Sequence, residues 1–320
     1  MDKIGIRAAL AVFLSLLLFT VARGAMPQTL IPGGDTIGLE LELKGVSVVE
    51  LANDIPAKAG LRCGDLICMA DGAEISSVEQ LTQAVRNSQG RTMVFTVLRN
   101  GKEKSLKLSP IQTSDGWKLG VYVRDHLKGI GTVTYYEEDG DFGALGHGVN
   151  GGEGNSLLPL KGGIVTPSEV ASVAKGEEGN PGCLHGAWQT DVPCGEVERN
   201  TPQGIFGRME RSPAQALPVA SSAEIRKGPA LIRSTVHGRE ICTYSVEICE
   251  IHHTDTHDRN LLLRVTDPAL LSATGGIVQG MSGSPIIQDG KLIGAVTHVL
   301  IDDPTMGYGI FIENMLDAAS

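Results

Sequence analysis

The most constraining feature of the 320-residue sequence is the stretch 274–299, TGGIVQGMSGSPIIQDGKLIGAVTHV. Its two apolar runs are separated by Asp289-Gly290, a dipeptide that strongly favours a β-hairpin turn. Ser282 precedes the first run inside a glycine-rich turn. Glycine permits backbone conformations in which two N–H groups point at one site, so the amides of Gly280 and Ser282 are candidate oxyanion-hole donors. The stretch predicts a serine on a tight loop before a hairpin.

Composition favours a mainly β chain. Hydrophobic residues make up 42% of the sequence and charged residues 20%, which is typical of a globular protein, and the length suffices for two domains. Aromatic residues are only 4%, whereas glycine occurs 41 times, and this balance favours loop-rich β architecture over a helical bundle. The net charge of -10 argues against a nucleic-acid partner.

Residues 1–25 resemble a targeting segment. Lys3 and Arg7 precede an apolar run over 8–22, and small residues including Ala25 follow it. The run is long for a signal peptide and short for a spanning helix, so both cleavage near Ala25 and retention as a membrane anchor remain open. In either case we predict that the rest of the chain works beyond a membrane. Six cysteines then permit disulfides, and the local candidate pairs are Cys183–Cys194 and Cys242–Cys249.

Residues 35–111 form a predicted compact unit. Apolar residues at helical spacing predict a helix over 77–88 with a serine N-cap at 76 or 77, and Asn-Gly at 100–101 predicts a hairpin. The segment PAKAGLRCGDLICMADGAEISSVEQL within this unit resembles a PDZ domain of the kind associated with bacterial proteases. The resemblance implies a groove in which an extended peptide adds to an open strand, unless the protein's own chain fills it. The implied peptide-binding residues are Ile37, Gly38, Leu39, Val78 and Leu81.

Three residues that suit acyl transfer follow one another along the chain: His147, Asp267 and Ser282. A serine hydroxyl needs a base within hydrogen-bond reach, and the base needs an acceptor that fixes its tautomer. His147 lies between glycines at a corner from which it can reach a partner, and Asp267 ends an apolar run before Pro268. The order His, Asp, Ser is typical of the chymotrypsin-like double β-barrel. The other candidates are Ser284 for the nucleophile and Asp141, Asp255 and Asp258 for the acid.

A histidine-rich segment offers a different chemistry. It contains His252, His253, Asp255, His257 and Asp258. Such side chains bind metals, and a metal-dependent hydrolase would use the three histidines. The spacing does not match a helical His-x-x-x-His pair, however, and the segment lies between two strand-like runs. We therefore expect a solvated hairpin tip, and we predict no metal and no cofactor.

Residues 119–316 resemble the peptidase domain of the stage IV sporulation protein B family. The match lies in GALGHGV around His147, VTDPALL around Asp267 and the long C-terminal motif that contains Ser282. The resemblance implies that these three residues form the triad of a serine endopeptidase. It also implies that His298 lies where such proteases pair with the substrate backbone. The predicted organisation is a signal or anchor segment (1–25), an α+β PDZ domain (35–111) and a chymotrypsin-like double-barrel peptidase domain (119–320).

The family also implies a biological setting. Its members are exported across the forespore inner membrane into the intermembrane space, either anchored or released. They cleave themselves and cut a regulatory membrane protein, which relieves inhibition of an intramembrane protease that processes a late sigma factor. The expected partners are therefore that membrane protein, the chain itself and the membrane. The alternative is a PDZ peptide-binding adaptor whose protease-like domain is inactive.

Overall fold

The computed structural model describes residues 27–151, 156–188, 192–210, 214–255 and 258–320. The predicted targeting segment, residues 1–25, lies outside the described residues. Among the helices of the described part, none is long and apolar enough to cross a membrane. All six cysteines are free thiols, so neither candidate disulfide is formed.

Twenty-three strands and four short helices make up the described part of the chain. The strands are β1 (Thr29–Pro32), β2 (Thr36–Leu51), β3 (Leu66–Ala70), β4 (Ala73–Glu74), β5 (Met93–Arg99), β6 (Lys102–Leu108), β7 (Ile111–Thr113), β8 (Gly116–Lys118), β9 (Val121–Tyr136), β10 (Asp141–Ala144), β11 (Asn150–Gly151), β12 (Ser156–Leu157), β13 (Leu160–Ala174), β14 (Cys183–Trp188), β15 (Gly195–Thr201), β16 (Gly204–Met209), β17 (Leu217–Pro218), β18 (Gly228–Thr235), β19 (Ile241–Ile251), β20 (Leu261–Val265), β21 (Pro285–Gln288), β22 (Lys291–Leu300) and β23 (Asp303–Phe311). The helices are α1 (Asp54–Lys58), α2 (Val78–Asn87), α3 (Pro268–Thr274) and α4 (Ile312–Ala319), with a 3₁₀ turn at Ser222–Glu224.

Two six-stranded barrels form the larger part of the fold. In the first, β9 pairs with β10, then β16, β15, β13 and β2 follow in turn, and β2 pairs back with β9. In the second, the closed order is β18-β19-β20-β23-β22-β21. Each barrel has its own apolar core, which contains Val133 and Ile205 in the first and Ile232 and Leu263 in the second. These two barrels confirm the mainly β prediction and are consistent with a chymotrypsin-like double barrel.

The third unit contains β3 to β6 with α1 and α2. Its predicted local elements are confirmed, because Ser77 caps α2 by accepting the Gln80 N–H, and β5 and β6 form the expected hairpin. Its core includes Leu81, Val85 and Phe95. Asp65 is fully buried there and pairs with Arg99 at 2.6 Å.

Strand β2 passes from the first barrel into this third unit. Its first half pairs with β9 and β13, and its second half pairs with β3 and the beginning of β9. Gly45 lies at the change, with a φ of +151°, and a Cβ there would be 2.8 Å from the Ile67 carbonyl oxygen. A glycine is therefore needed where the strand leaves one sheet partner for another.

Candidate active site and peptide groove

Ser282 lies on the tight loop between α3 and β21, as the sequence predicts. Gly280 and Gly283 on either side have φ values of +100° and +97°, which an L-residue adopts only with strain. A Cβ on Gly283 would stand 2.0 Å from the Thr132 carbonyl oxygen. Strand β9 holds the loop from the other side, because Thr132 N–H donates to the Ser282 carbonyl at 3.0 Å and Thr132 Oγ1 donates to the Gly280 carbonyl at 2.8 Å.

The amides of Gly280 and Ser282 have no acceptor among the described residues. The carbonyl of Gln279, which precedes Gly280, accepts the Leu184 N–H at 2.8 Å, and the carbonyl of Met281, which precedes Ser282, accepts the Ser284 N–H at 3.0 Å. In a trans peptide the N–H points opposite to the C=O. Both amides thus point away from those partners and remain available to an oxyanion.

His147 follows β10 at a sharp corner. Leu145 and Gly146 both have left-handed backbone, with φ of +70° and +68°. The Nδ1 atom of His147 lies 3.0 Å from the Gly148 carbonyl oxygen, which can only accept, so Nδ1 carries the proton and Nε2 has a free lone pair. Burial lowers the pKa of the His147 imidazole below its usual range, and the hydrogen bond to Gly148 acts in the opposite direction. A neutral ring with an open Nε2 is the form that a general base requires.

Asn200 is a residue of this site that the sequence reasoning missed. It lies near the end of β15 and holds the segment after His147. Its Oδ1 accepts the Val149 N–H at 2.8 Å, and its Nδ2 donates to the carbonyls of Val149 and Leu158, both at 2.9 Å. No local sequence pattern predicts this role, because the hydrogen bonds join positions about 40 to 50 residues apart.

Ser282 and His147 line the same cleft of about 690 Å³ between the two barrels. The Ser282 hydroxyl donates to the Thr297 carbonyl at 2.7 Å. Among the described contacts it forms no hydrogen bond with His147. Rotation of the serine side chain is therefore needed before the base can accept its proton.

His298 also lines the cleft and packs against the base. Its ring centroid lies 5.0 Å from that of His147, with the planes tilted by 36°. Although His298 is exposed as a whole, partial desolvation of its ring, together with the neighbouring His147 and Arg259, lowers the pKa of His298 to about 4. His298 therefore stays neutral near neutral pH and shields one face of the base from water.

Asp267 is at the end of a strand, as predicted, but it does not line the cleft. It is the N-cap of α3, where its Oδ1 accepts the N–H groups of Ala269 at 2.9 Å and Leu270 at 3.2 Å. Its Oδ2 accepts the Ser245 N–H at 3.2 Å. Aspartate followed by proline is a strong helix-start signal, and the sequence reasoning did not use it. The structure thus brings His147 and Ser282 together and engages the Asp267 carboxylate elsewhere.

The runner-up residues have other contacts. Ser284 is fully buried and donates to the Ser234 hydroxyl at 3.0 Å. Asp141 pairs with Arg208 at 2.8 Å, and Asp258 accepts from Gln203 and Asn314, both at 2.8 Å.

In the histidine-rich segment, His252 lies 3.2 Å from the Glu250 carboxylate, and the His253 ring lies 5.4 Å from the Phe311 ring. His257 lies outside the described residues. Within the described part of the chain, no three His, Cys, Asp or Glu side chains are placed to hold a metal ion.

The predicted peptide-binding loop is wrong. Ile37, Gly38 and Leu39 lie inside β2, paired with β9 on one side and β13 on the other. Ile37 and Leu39 are 3% and 4% exposed. A strand whose two edges are already paired offers no backbone groups to an added peptide, so this segment belongs to the first barrel.

A groove of the expected kind lies beside α2 all the same. It has a volume of about 460 Å³ and is bordered by Leu81 on the helix and by residues 119–123 at the beginning of β9. Within the described part of the chain, residues 121–124 pair with β2 on one edge and with no strand on the other. Leu119-Gly120-Val121 repeats the apolar-Gly-apolar pattern of residues 37–39, and Gly120 has a φ of +74°. Val78, at the beginning of α2, does not line this groove; its N–H donates to the Asp125 carboxylate at 2.7 Å.

Comparison with known proteins gives two family matches. The model of the SpoIVB peptidase S55 family matches residues 115–316, and that of the PDZ domain matches residues 34–109. A Bartonella henselae protein named "Probable periplasmic serine endoprotease DegP-like" is 36% identical over 116 residues, which cover 33% of this chain and 23% of that protein. This chain thus spans about a quarter of that relative's length.

Solved structures show partial likeness. The active form of the Rv3671c protease from M. tuberculosis is 16% identical, with a TM-score of 0.36, and covers 61% of this chain and 72% of its own. The PDZ domain of the SdrC-like protein from Listeria monocytogenes is 23% identical, with a TM-score of 0.24, and covers 25% of this chain and 87% of its own.

Two barrels, a cleft with a serine and a histidine, and a PDZ domain define a PDZ-containing serine peptidase. The matched peptidase region takes in more than half of the sequence. The chain belongs to the SpoIVB peptidase S55 family.

Proposed function

We propose that this chain is a signalling serine endopeptidase of sporulation. In this proposal it cleaves itself and cuts a regulatory membrane protein, and the cut relieves inhibition of an intramembrane protease that processes a late sigma factor. Its N-terminal segment directs it across the forespore inner membrane. The observation that carries the enzymatic part is the shared cleft of Ser282 and His147, beside two amides without a protein acceptor.

The chemistry follows from the contacts in the cleft. Ser282 turns from the Thr297 carbonyl toward Nε2 of His147, which accepts the hydroxyl proton as Oγ attacks the scissile carbonyl. The amides of Gly280 and Ser282 donate to the oxyanion that forms. His147 then gives its proton to the leaving amine. Water enters and attacks the acyl carbon while His147 takes one of its protons; His147 then returns this proton to Oγ of Ser282 as the ester bond breaks and the acid product leaves.

Self-cleavage and peptide cleavage test the enzymatic part. We expect the wild-type chain to be cleaved near its N-terminus, and Ser282→Ala and His147→Ala to abolish this. Ser284→Ala is the matched control, since its hydroxyl is buried against Ser234; it should retain cleavage once circular dichroism shows that it is folded. Equal self-cleavage by the wild type and Ser282→Ala would remove Ser282 from the mechanism.

The place of Asp267 as the third member of the triad stays a prediction. Its carboxylate caps α3 here, and serine or asparagine caps a helix equally well without charge. Asp267→Ser and Asp267→Asn should therefore keep the fold. If both variants lose cleavage while their unfolding midpoints hold, the charge serves catalysis. If both keep it, the residue serves only the helix.

The signalling part needs its own test. This chain, the regulatory membrane protein, the intramembrane protease and the sigma-factor precursor would be co-expressed in a host that lacks all four. We expect precursor processing with the wild-type chain and none with Ser282→Ala. Processing that ignores the Ser282 substitution would refute the signalling role and leave the peptidase assay unaffected.

One observation favours the alternative of an inactive protease-like body on a PDZ adaptor: the Ser282 hydroxyl donates to Thr297 and not to His147. Labelling with a serine-directed phosphonate distinguishes an active peptidase from an inactive adaptor. An active enzyme is labelled at Ser282 and an adaptor is not, whatever peptides the groove beside α2 binds.

A further inference from the structure

The cleft differs in charge from the molecule that contains it. The whole chain carries a net charge of -10. Of the described residues that line the cleft, however, none is Asp or Glu, whereas Arg124 and Lys128 both line it. Ten of the other twenty lining residues are aliphatic, and they include Ile277, Val278, Val299 and Ile301. These features favour a substrate that is apolar at the scissile bond and acidic nearby.

The strand register leaves Arg124 without a carboxylate. On β9, Lys128 lies opposite Glu40 and pairs with it at 3.0 Å, and His126 lies opposite Glu42. An irregularity in the pairing then places Arg124 opposite Ser47. Arg124 is exposed and forms no ion pair with a described residue. Of Arg124, His126 and Lys128 on β9, Arg124 is therefore the one that can form an ion pair with an acidic residue of a bound substrate.

Arg124 lies on the same face of β9 as the part that reaches the serine loop. Residues 124, 126, 128 and 130 point to one side because side chains alternate along a strand. Ile130, the last of them, lies next to Gly280, where an added Cβ would meet its Cδ1 at 3.1 Å. At about 3.3 Å per residue, Arg124 is roughly 20 Å, or about six residues, along the strand from Ile130.

We propose that the cleft recognises an extended segment with an aliphatic residue beside the scissile bond and an acidic residue about six positions away that pairs with Arg124. This inference rests on the proposed peptidase function and names its substrate class. Both features of the substrate are needed, because the aliphatic wall alone does not distinguish one apolar segment from another.

Fluorogenic peptides of one parent sequence test the inference. They carry Leu or Asp beside the scissile bond, and Glu, Gln or Lys about six positions away on either side. Their C-termini are amidated, so that a carboxylate does not direct them to the groove beside α2. We expect a higher kcat/KM for peptides with Leu beside the scissile bond than for those with Asp. Replacing Glu with Lys should lower kcat/KM about two- to five-fold, the range expected for one exposed ion pair. This effect should occur for the position on one side of the scissile bond and not for the position on the other side.

A charge exchange identifies the residue responsible. Arg124→Glu should reverse the preference so that the Lys peptide becomes the better substrate. Lys128→Gln is the matched control: its partner is Glu40, so the preference for Glu should persist. An unchanged preference for Glu in Arg124→Glu, or no preference in the wild type, would overturn the inference. Cleavage of the peptides would still support the proposed peptidase function.

Binding of the same labelled peptides to Ser282→Ala, followed by fluorescence anisotropy, reads recognition without catalysis. Tighter binding of the Leu peptides than of the Asp peptides, and of the Glu peptides than of the Lys peptides, supports the inference even where no peptide is cut. Equal binding of all the peptides refutes it.

Discussion

Replacing Gly283 with alanine tests whether strand β9 holds the serine loop in place. The added Cβ would stand 2.0 Å from the Thr132 carbonyl oxygen and 2.6 Å from the Leu145 amide nitrogen. Both atoms are backbone, so neither can swing aside as the tip of a side chain would. Gly290 is the matched control. It has a φ of +77°, against +97° for Gly283, and no atom lies within 4 Å of its added Cβ.

Both substitutions introduce backbone strain, and only Gly283→Ala also introduces a steric clash. A left-handed backbone costs an L-residue about 1–2 kcal/mol, which applies to both alanines. Only at Gly283 must packed backbone also move, and overpacking of this kind costs about 1–3 kcal/mol. We therefore expect Gly290→Ala to lower the free energy of unfolding by about 1–2 kcal/mol and Gly283→Ala by about 2–5 kcal/mol.

Activity should separate the two variants further. Relief of the clash at Gly283 displaces the loop that carries Ser282, and a misplacement of about 1 Å in a reacting group can reduce the rate about a hundredfold. The assay combines urea unfolding with peptide cleavage per folded molecule. If Gly283→Ala matched Gly290→Ala in both midpoint and rate, the loop would not be clamped against β9.

Three further predictions concern the base and the PDZ domain. Because burial lowers the pKa of His147, the acid limb of the kcat/KM profile, where the base becomes protonated, should lie at a lower pH than for an ordinary histidine. His298→Ala exposes that ring and should move the acid limb of the kcat/KM profile to higher pH, whereas His298→Phe keeps the packing and should not. Arg99→Met leaves buried Asp65 unpaired and should cost about 3–5 kcal/mol in urea unfolding, against less than about 1 kcal/mol for Arg91→Met at an exposed pair.

Local signals in the sequence predicted the local structure well. Asp289-Gly290 and Asn100-Gly101 both form hairpin turns in which the first residue has a φ of +51° and the second is a left-handed glycine. The cap of α2 and the serine loop are set in the same way, by residues within a few positions of one another. Such features need no knowledge of what packs against them.

The errors arose where pairing is non-local. The apolar-Gly-apolar pattern occurs at 37–39 and again at 119–121, and the sequence does not say which copy lies beside α2. That depends on the register of β9 against β2, which joins residues from 70 positions apart (Leu51 and Val121) to 96 positions apart (Thr36 and Thr132). The packing of His298 on His147 likewise spans about 150 residues. The capping role of Asp267 was readable locally from Asp-Pro, although the sequence reasoning did not use it; the place of this residue in a triad stays a prediction.

Strand β9 borders both the groove beside α2 and the cleft that contains Ser282. Residues 121–124 provide the open edge beside α2, and Thr132, farther along the same strand, bonds to the backbone of Ser282 and Gly280. A strand paired in register cannot slip by one residue without turning every side chain to the opposite face. The spacing between the peptide groove and the serine loop is therefore fixed within one continuous strand. A peptide that only adds to the open edge leaves this spacing unchanged, whereas one that displaces β9 must also move the loop that carries Ser282.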